Sequence, residues 1–413
     1  MGNIVAGIDI HKKVLMVVVV GQIAGRAENL GRRRFGTVSS ELQRLAAWLR
    51  EQRVEEAVME STAQYWKPVW YELEPHMGLQ LAQAFSNRAP RGRKHDFKDA
   101  ERLVRRRLAG ELILSFVPPP EQRALRLMTR SKVQLTRDRV RLHNQLEGLL
   151  EEMRIKLSSV LSDLFGMSGL RILRALAKGE TEAESLAALG DGRLHCSHQQ
   201  LVDALRGTVQ PMHQKLLTLY LDRLELLDKQ MAELNAATAE AMQGHAEAVA
   251  RLAEVPGFGP DSAQQVIAEV GAEASTFPSA AQLASWVGTN PGRQESAEQN
   301  QSSRSAKGNK FVRRILTEAA QAAVKTKGSH FQVVFRRLLP RLGYLAALWA
   351  IAHRLCRLVW KILHEKVRYI EQGVQRDPKA LKQRLYTMAR SLRHLGYNVN
   401  LNIEPPQPAP AAG

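Results

Sequence analysis

Cysteine is nearly absent from this chain of 413 residues: only Cys196 and Cys356 occur, far apart and with no CxxC pair. That excludes a disulfide framework and a thiolate-built structural zinc site, and it fits a reducing, cytoplasmic setting. Long uncharged apolar runs are lacking too. The most apolar late segment, residues 344–363, carries His353, Arg354, Arg357 and Lys361. It therefore reads as a buried or protein-facing helix and not as a membrane span. The N-terminus, MGNIVAGIDIHKK, has no signal-peptide layout. Neither a helix-turn-helix nor a zinc finger is found. Acids are in the minority, 41 against 59 Lys and Arg, for a net charge of +18. A protein this basic usually has a polyanionic partner, most often nucleic acid.

What is present divides into three regions and a tail. "IVAGIDI" (4–10) and "LMVVVV" (15–20) are β-branched runs joined by a polar turn. A third strand is expected near 31–38, a helix over 39–52, a buried strand over 55–61, a helix near 64–74, a strand over 79–85 and a helix over 93–110. A three-stranded meander followed by alternating helices and strands predicts an α/β or α+β sheet domain over 1–118, closed by the linker "VPPPE".

A central region, 119–248, contains two long helices with heptad seams. Met128, Leu135, Leu142 and Leu149 form one seam, with Leu146 and Met153 in its second position. Leu217, Leu224 and Met231, with Tyr220, Leu227 and Leu234, form the other. Sustained heptads specify helix–helix packing, either within one chain or between subunits. A less regular helical insert, 163–207, lies between them.

The third region, 249–403, is expected to be mainly α, and the tail 404–413 disordered. It opens with "LAEVPGFGPDSAQQVIAEVG", two helical pieces around a helix-hairpin-helix-like turn. Gly257 and Gly259 there could offer backbone N–H groups to a phosphate.

The acids that exist are oddly placed. Asp96 and Asp99 sit in "RKHDFKDAERL", behind Arg91, Arg93 and Lys94 and ahead of Arg102 and Arg105. They could cap a helix, or share one face and bind a hard cation. Asp9 and Glu60 lie near the ends of apolar strands, where a charge is costly unless paired or metal-bound. Four carboxylates at one sheet edge would hold two divalent ions, usually magnesium, for phosphoryl transfer.

The order Asp, Glu, Asp, Asp resembles a known group. With "GIDIHKK", "VMESTAQYWKPVWYEL", "NRAPRGRKHDFKDAERLVRRRLAGEL" and "LASWVGTNPGRQESAEQNQSSRSAKGNKFVRRILTEAA", the chain is similar to bacterial insertion-sequence transposases with a DEDD tetrad, a family that includes the pilin-gene invertases. The resemblance covers nearly the whole chain. It implies a RuvC-like, ribonuclease H fold domain followed by a helical coiled coil and a mainly α domain. It implies Asp9, Glu60, Asp96 and Asp99 as catalytic magnesium ligands, for one or two ions.

The resemblance also selects Ser296, after the "GTNPG" turn, as a nucleophile that cleaves DNA through a covalent phosphoserine, with strand exchange and rejoining. Ser302, Ser303 and Ser305 are weaker candidates. Arg293, Arg304, Lys307, Lys310, Arg313 and Arg314 surround Ser296 as candidate nucleic-acid contacts, able to neutralise a phosphodiester. No histidine stands near in sequence, so the carboxylates are the expected activators.

Further implications of the resemblance are donor and target DNA as partners, a structured non-coding guide RNA, a homo-oligomer (a dimer, a tetramer in the synaptic complex), no membrane, and a bacterial nucleoid-associated location. Two rival readings stand beside it. One is a metal-only nuclease resembling Holliday-junction resolvases, with Ser296 incidental. The other is a non-catalytic nucleic-acid scaffold.

Overall fold

The computed structural model describes residues 4–23, 26–60, 63–87, 96–290, 294–296, 299–302, 305, 307–371, 383, 386, 389, 390 and 393. For residues 23, 26, 27, 85, 96, 294–296 and 299–302 it describes the backbone only. The chain divides into two compact units, Met1–Pro119 and Pro120–Gly413.

The β-branched runs 4–10 and 14–23 become strands because such side chains pack well on a pleated surface. The strands of the first unit are β1 (Ile4–Ile10), β2 (Val14–Ile23), β3 (Arg26–Gly36), β4 (Glu56–Glu60), β5 (Gly78–Ala82) and β6 (Leu114–Ser115). Their order in one mixed sheet is β3-β2-β1-β4-β5-β6. The first three form an antiparallel meander, while β4 runs parallel to β1 and β5 parallel to β4. The expected third strand begins earlier than 31, because β3 extends back to Arg26. β6, antiparallel to β5, was not expected from the sequence.

Helices α1 (Ser39–Glu51) and α2 (Trp66–Leu73) cover one face of the sheet, and α3 (Asp96–Leu108) covers the other. Alternation along β1 decides which residue faces which helix. Ala6, Ile8 and Ile10 pack with Leu45, Leu49, Trp70 and Leu73. Val5, with Val58 of β4, packs with Leu103 and Val104 of α3. Gly7 and Asp9 therefore share the α3 face, as does Glu60, two residues beyond Val58.

Two features seat α3. A Cβ at Gly7 would lie 2.2 Å from the Ala100 carbonyl oxygen and 2.7 Å from Val104 Cγ2, so the helix backbone rests where a side chain would otherwise stand. In its last turn, Arg107 donates to both Glu56 oxygens, at 2.6 and 2.9 Å. This two-pronged bond fixes direction as well as distance. The helix thus has its C-terminal end at the start of β4 and its N-terminal end toward Asp9 and Glu60.

The second unit is largely helical. Its elements are α4 (Pro120–Glu152), α5 (Leu157–Val160), α6 (Met167–Ala177), α7 (Ala183–Ala187), α8 (His198–Leu205) and α9 (Pro211–Ala241). They are followed by α10 (Ala246–Ala253), α11 (Pro260–Val270), α12 (Ala280–Val287), α13 (Lys310–Ala323), α14 (His330–Leu342) and α15 (Tyr344–His364).

The heptad seams of α4 and α9 meet within the chain. Arg139 pairs with Asp228 at 2.7 Å, and the Thr208 amide donates to the Met153 carbonyl at 2.9 Å, so the helices run antiparallel. Leu142, Leu146, Leu149, Leu217, Leu224 and Leu227 are buried there, and α6 and α8 complete the same core. Met128, Leu135, Met231 and Leu234, toward the other end, are half-buried.

The last six helices enclose a separate core in which α15 is central, as its apolar composition predicts. Among the described residues no helix is long and apolar enough to cross a membrane. The polar segment after α12 holds a two-stranded ribbon, β7 (Gln294–Ser296) with β8 (Gln299–Ser302), which was not expected from the sequence. The expected tail 404–413 lies outside the described residues.

The fit at position 7 can be tested. Gly7→Ala forces α3 off the sheet and should cost about 1–3 kcal/mol of stability, as overpacking does, read from urea unfolding. An unchanged midpoint would contradict this packing.

Candidate active site

Asp9 and Glu60 end two adjacent parallel strands, a position at which α/β sheets commonly bind ligands. The β1–β4 register pairs Ile8 with Met59, the residues immediately before them. Asp99 joins them from the first turn of α3. The three carboxylates are close enough to repel. Burial pushes the Asp9 carboxyl above its ordinary 3.8; the charge of His11 pulls it down, and those of Asp99 and Glu60 push it up. His11 Nε2 lies 3.1 Å from an Asp9 oxygen.

Each of the other two acids has its own support. Glu60 accepts from Asn87 Nδ2 at 2.8 Å. Arg102 pairs with Asp99 at 2.7 Å and donates from Nε to the Asn87 backbone and side-chain oxygens at 3.1 and 3.2 Å. Asn87 is buried at 2% exposure, so Asn87 and Arg102 form one bracket that orients both acids. Sequence reasoning missed this pair. The only signal was an arginine three residues after Asp99, on the same helix face.

Asp96 is the first residue of α3, but its side chain is not among those described, and neither are Arg91, Arg93 and Lys94. Among the described residues no three acidic, thiol or imidazole groups already form a metal cage. The donor set is nonetheless all carboxylate oxygen, suited to a hard divalent ion. The mutual repulsion at Asp9 is what such an ion would relieve.

The serine segment belongs to the second unit. Ser296 ends β7, and the register sets it opposite Gln299 of β8; Gln294 faces Ser302. The side chains of Ser296 and Ser302 are not described, and Ser303, Arg293 and Arg304 lie outside the described residues.

The two ends of the segment are pinned together. A Cβ at Gly308 would stand 2.2 Å from the Val287 carbonyl oxygen. Arg313 donates to the Gly288 carbonyl and, at 3.2 Å, to Ser305 Oγ, and it stacks 4.5 Å over Trp349. Arg314 donates to Gln265 and pairs with Glu318 at 3.0 Å. Lys307 and Lys310 are exposed.

Asn309 caps α13 by accepting from the Phe311 and Val312 amides at 2.9 and 3.1 Å, and it donates to Glu269 at 2.8 Å. Glu269, 1% exposed, also receives both prongs of Arg130, at 2.7 and 2.8 Å, and sits 3.5 Å from Arg126. Burial lowers Arg126 to about 10, which Glu269 opposes and Arg130 reinforces; it stays charged at neutral pH. A buried acid thus ties the start of α4 and the C-terminal end of α11 to the residue that restarts the helix after the serine segment. This network too was missed in the sequence, where Glu269 reads as one more helical acid.

The glycine turn differs in detail from a phosphate cradle. Gly257 has φ +92°, and a Cβ there would lie 2.1 Å from the Ala319 carbonyl, so this glycine lets the turn pack on α13. The Gly259 amide donates to Ser262 Oγ at 2.9 Å. Cys356 is buried, which pushes its thiol up to about 12 and leaves it unreactive.

Comparisons with known proteins agree with this layout. A DEDD transposase model of the IS110 type, described as Transposase, matches residues 6–155, which contain all four acids. A second, described as Transposase IS116/IS110/IS902 family, matches residues 249–335, which contain Ser296 and Glu269. A protein of Pseudomonas aeruginosa described as a probable family 20 transposase is 28% identical over 315 residues, covering 75% of this chain and 83% of that protein. The structure of T. thermophilus RuvC in complex with a Holliday junction substrate aligns with 27% of this chain and 99% of that chain, at 15% identity and a TM-score of 0.21. Two domain types in this order define the class, a transposase with a DEDD domain and a separate C-terminal domain. The chain belongs to the IS110/IS116 transposase family.

Two outcomes follow. The folded chain holds the Asp9 proton better than the unfolded chain, whose group stays near 3.8. Without a cation, the stability gained at this position is present below that value and is lost as pH rises through the raised one. Asp9→Asn should therefore raise the melting temperature in EDTA at neutral pH and abolish any further rise on adding magnesium; a lower melting temperature in EDTA would contradict the repulsion. Glu269→Gln removes the negative charge that faces Arg126 and Arg130 and should cost about 3–5 kcal/mol, measured by urea unfolding.

Proposed function

We propose that the chain is a recombinase that cuts and rejoins DNA through a phosphoserine at Ser296, with Asp9, Glu60, Asp96 and Asp99 holding one or two magnesium ions. The observation that carries this reading is the placing of Asp9 and Glu60 near the ends of adjacent parallel strands, on the sheet face that α3 covers with Asp99 in its first turn. Bound magnesium would supply Lewis-acid neutralisation of phosphate charge.

The remaining chemistry belongs to the chain. The Ser296 oxygen attacks phosphorus and a phosphoserine bond forms. The bond to the leaving sugar oxygen breaks; a carboxylate takes the serine proton and passes it to that oxygen, which leaves as a hydroxyl. A sugar hydroxyl then attacks the phosphoserine and restores the serine, so no nucleotide is consumed. Lys307 and Lys310, exposed beside the segment, contact phosphate.

A structured RNA chooses the sites by base pairing, which suits the charge of +18. Subunits assemble as dimers, so that the carboxylates of one serve the serine of another. The seam within one chain shows that α4 and α9 need no partner to bury Leu142 or Leu224. Assembly therefore uses other surfaces or the half-buried ends of these helices.

Ser296→Ala should stop strand cleavage and adduct formation, seen on denaturing gels of labelled DNA bearing the element ends, while DNA and RNA binding persist. Cleavage by Ser296→Ala in magnesium would make water the nucleophile and favour a resolvase-like nuclease.

A further inference from the structure

We propose that the edge strand β3 grips the DNA strand being cut, through Arg32 and Arg34, on the same sheet face as the carboxylates. This rests on the reading of the carboxylates as the DNA-cutting site and adds the surface that delivers the strand to it.

The register fixes the face. Asp9 pairs with Met16, and Met16 with Arg34; Gly7 pairs with Val18, and Val18 with Arg32. Directly opposite residues of an antiparallel ladder project to one side. Arg34 is therefore in line with Asp9, two strand spacings or about 10 Å away, and Arg32 is in line with Gly7, beneath α3. Arg32 lies 5.5 Å over the ring of Phe97, the residue between Asp96 and Lys98. Arg33 points to the opposite face, where it lies 5.2 Å over Trp48. All three are exposed. Among the described residues no carboxylate pairs with Arg32 or Arg34. Thr37 Oγ1 donates to the Lys12 carbonyl at 3.1 Å, bringing exposed Lys12 and Lys13 to the same end of the sheet.

The chemistry favours a phosphodiester chain. A cluster of carboxylates repels any polyanion brought against it, and the repulsion is strongest where the strand must lie to be cut. Cations beside the cluster, held away from ion pairing with it, offset that repulsion without neutralising the acids. Arg32 and Arg34 meet this condition, because the buried Met16 separates the Arg34 row position from Asp9. On β3, the edge strand of this sheet among the described residues, they also face an open side from which a strand can enter.

The test uses the full chain and a fluorescein-labelled duplex bearing the element end. The double variant Arg32→Gln, Arg34→Gln should reduce the slope of log affinity against log salt by about 2, one per lost phosphate contact. Cleavage should fall mainly through weaker substrate binding. The double variant with Lys at both positions should keep the slope, and Arg33→Gln should leave both slope and cleavage unchanged. An unchanged slope in the glutamine variant, or an equal loss with Arg33→Gln, overturns the proposal. So does a slope that falls for copurified RNA and not for DNA. Because binding is measured on uncut DNA, a failure of the serine chemistry leaves this result readable.

Discussion

Helix α3 can lie on the sheet only because position 7 has no side chain. The Ala100 carbonyl occupies that space, and much of the first unit follows from it. The bond from Arg107 to Glu56 anchors one end of the helix, and the close approach at Gly7 fixes its height. Together they leave its first turn above the ends of β1 and β4. Asp99 then meets Asp9 and Glu60 although some 40 to 90 residues separate them in sequence. Asn87 and Arg102 complete the arrangement by holding two of the acids in fixed directions.

The cost of this arrangement is electrostatic. Acids on adjacent strands and on the helix above them push the Asp9 proton affinity up, and a polyanionic substrate would add to the repulsion. The surrounding sequence is correspondingly basic. Arg102 neutralises one acid directly, while Arg32 and Arg34 stand on the same face with no carboxylate partner among the described residues. The second unit repeats the theme with the signs reversed. There one buried acid, Glu269, gathers Arg126, Arg130 and Asn309 and steadies the base of the serine segment.

Much of this was legible in the sequence where burial imposes a period. β1 and β2 show as β-branched runs, β4 as a short buried strand, and α4 and α9 as heptads, because their apolar faces must be covered. β3 was placed too short, since an edge strand carrying four arginines keeps one side solvated and loses the apolar signal. The β7–β8 ribbon was not expected, because its polar residues carry no strand pattern and its pairing is local. The acids Asp9 and Glu60 stood out as charges inside apolar runs. Asn87, Arg102 and Glu269 did not, since a polar residue acquires such a role only through neighbours distant in sequence. Gly257 was read for its backbone N–H alone; that its missing side chain also lets the turn pack on α13 is something only the tertiary contact supplies.

The most direct test is anomalous diffraction from crystals grown with manganese in place of magnesium. The expected result is a peak between Asp9, Glu60 and the first turn of α3, lost in crystals of Glu60→Gln. A peak elsewhere, or none at saturating manganese with the carboxylates still turned to His11, Asn87 and Arg102, would contradict a shared metal site.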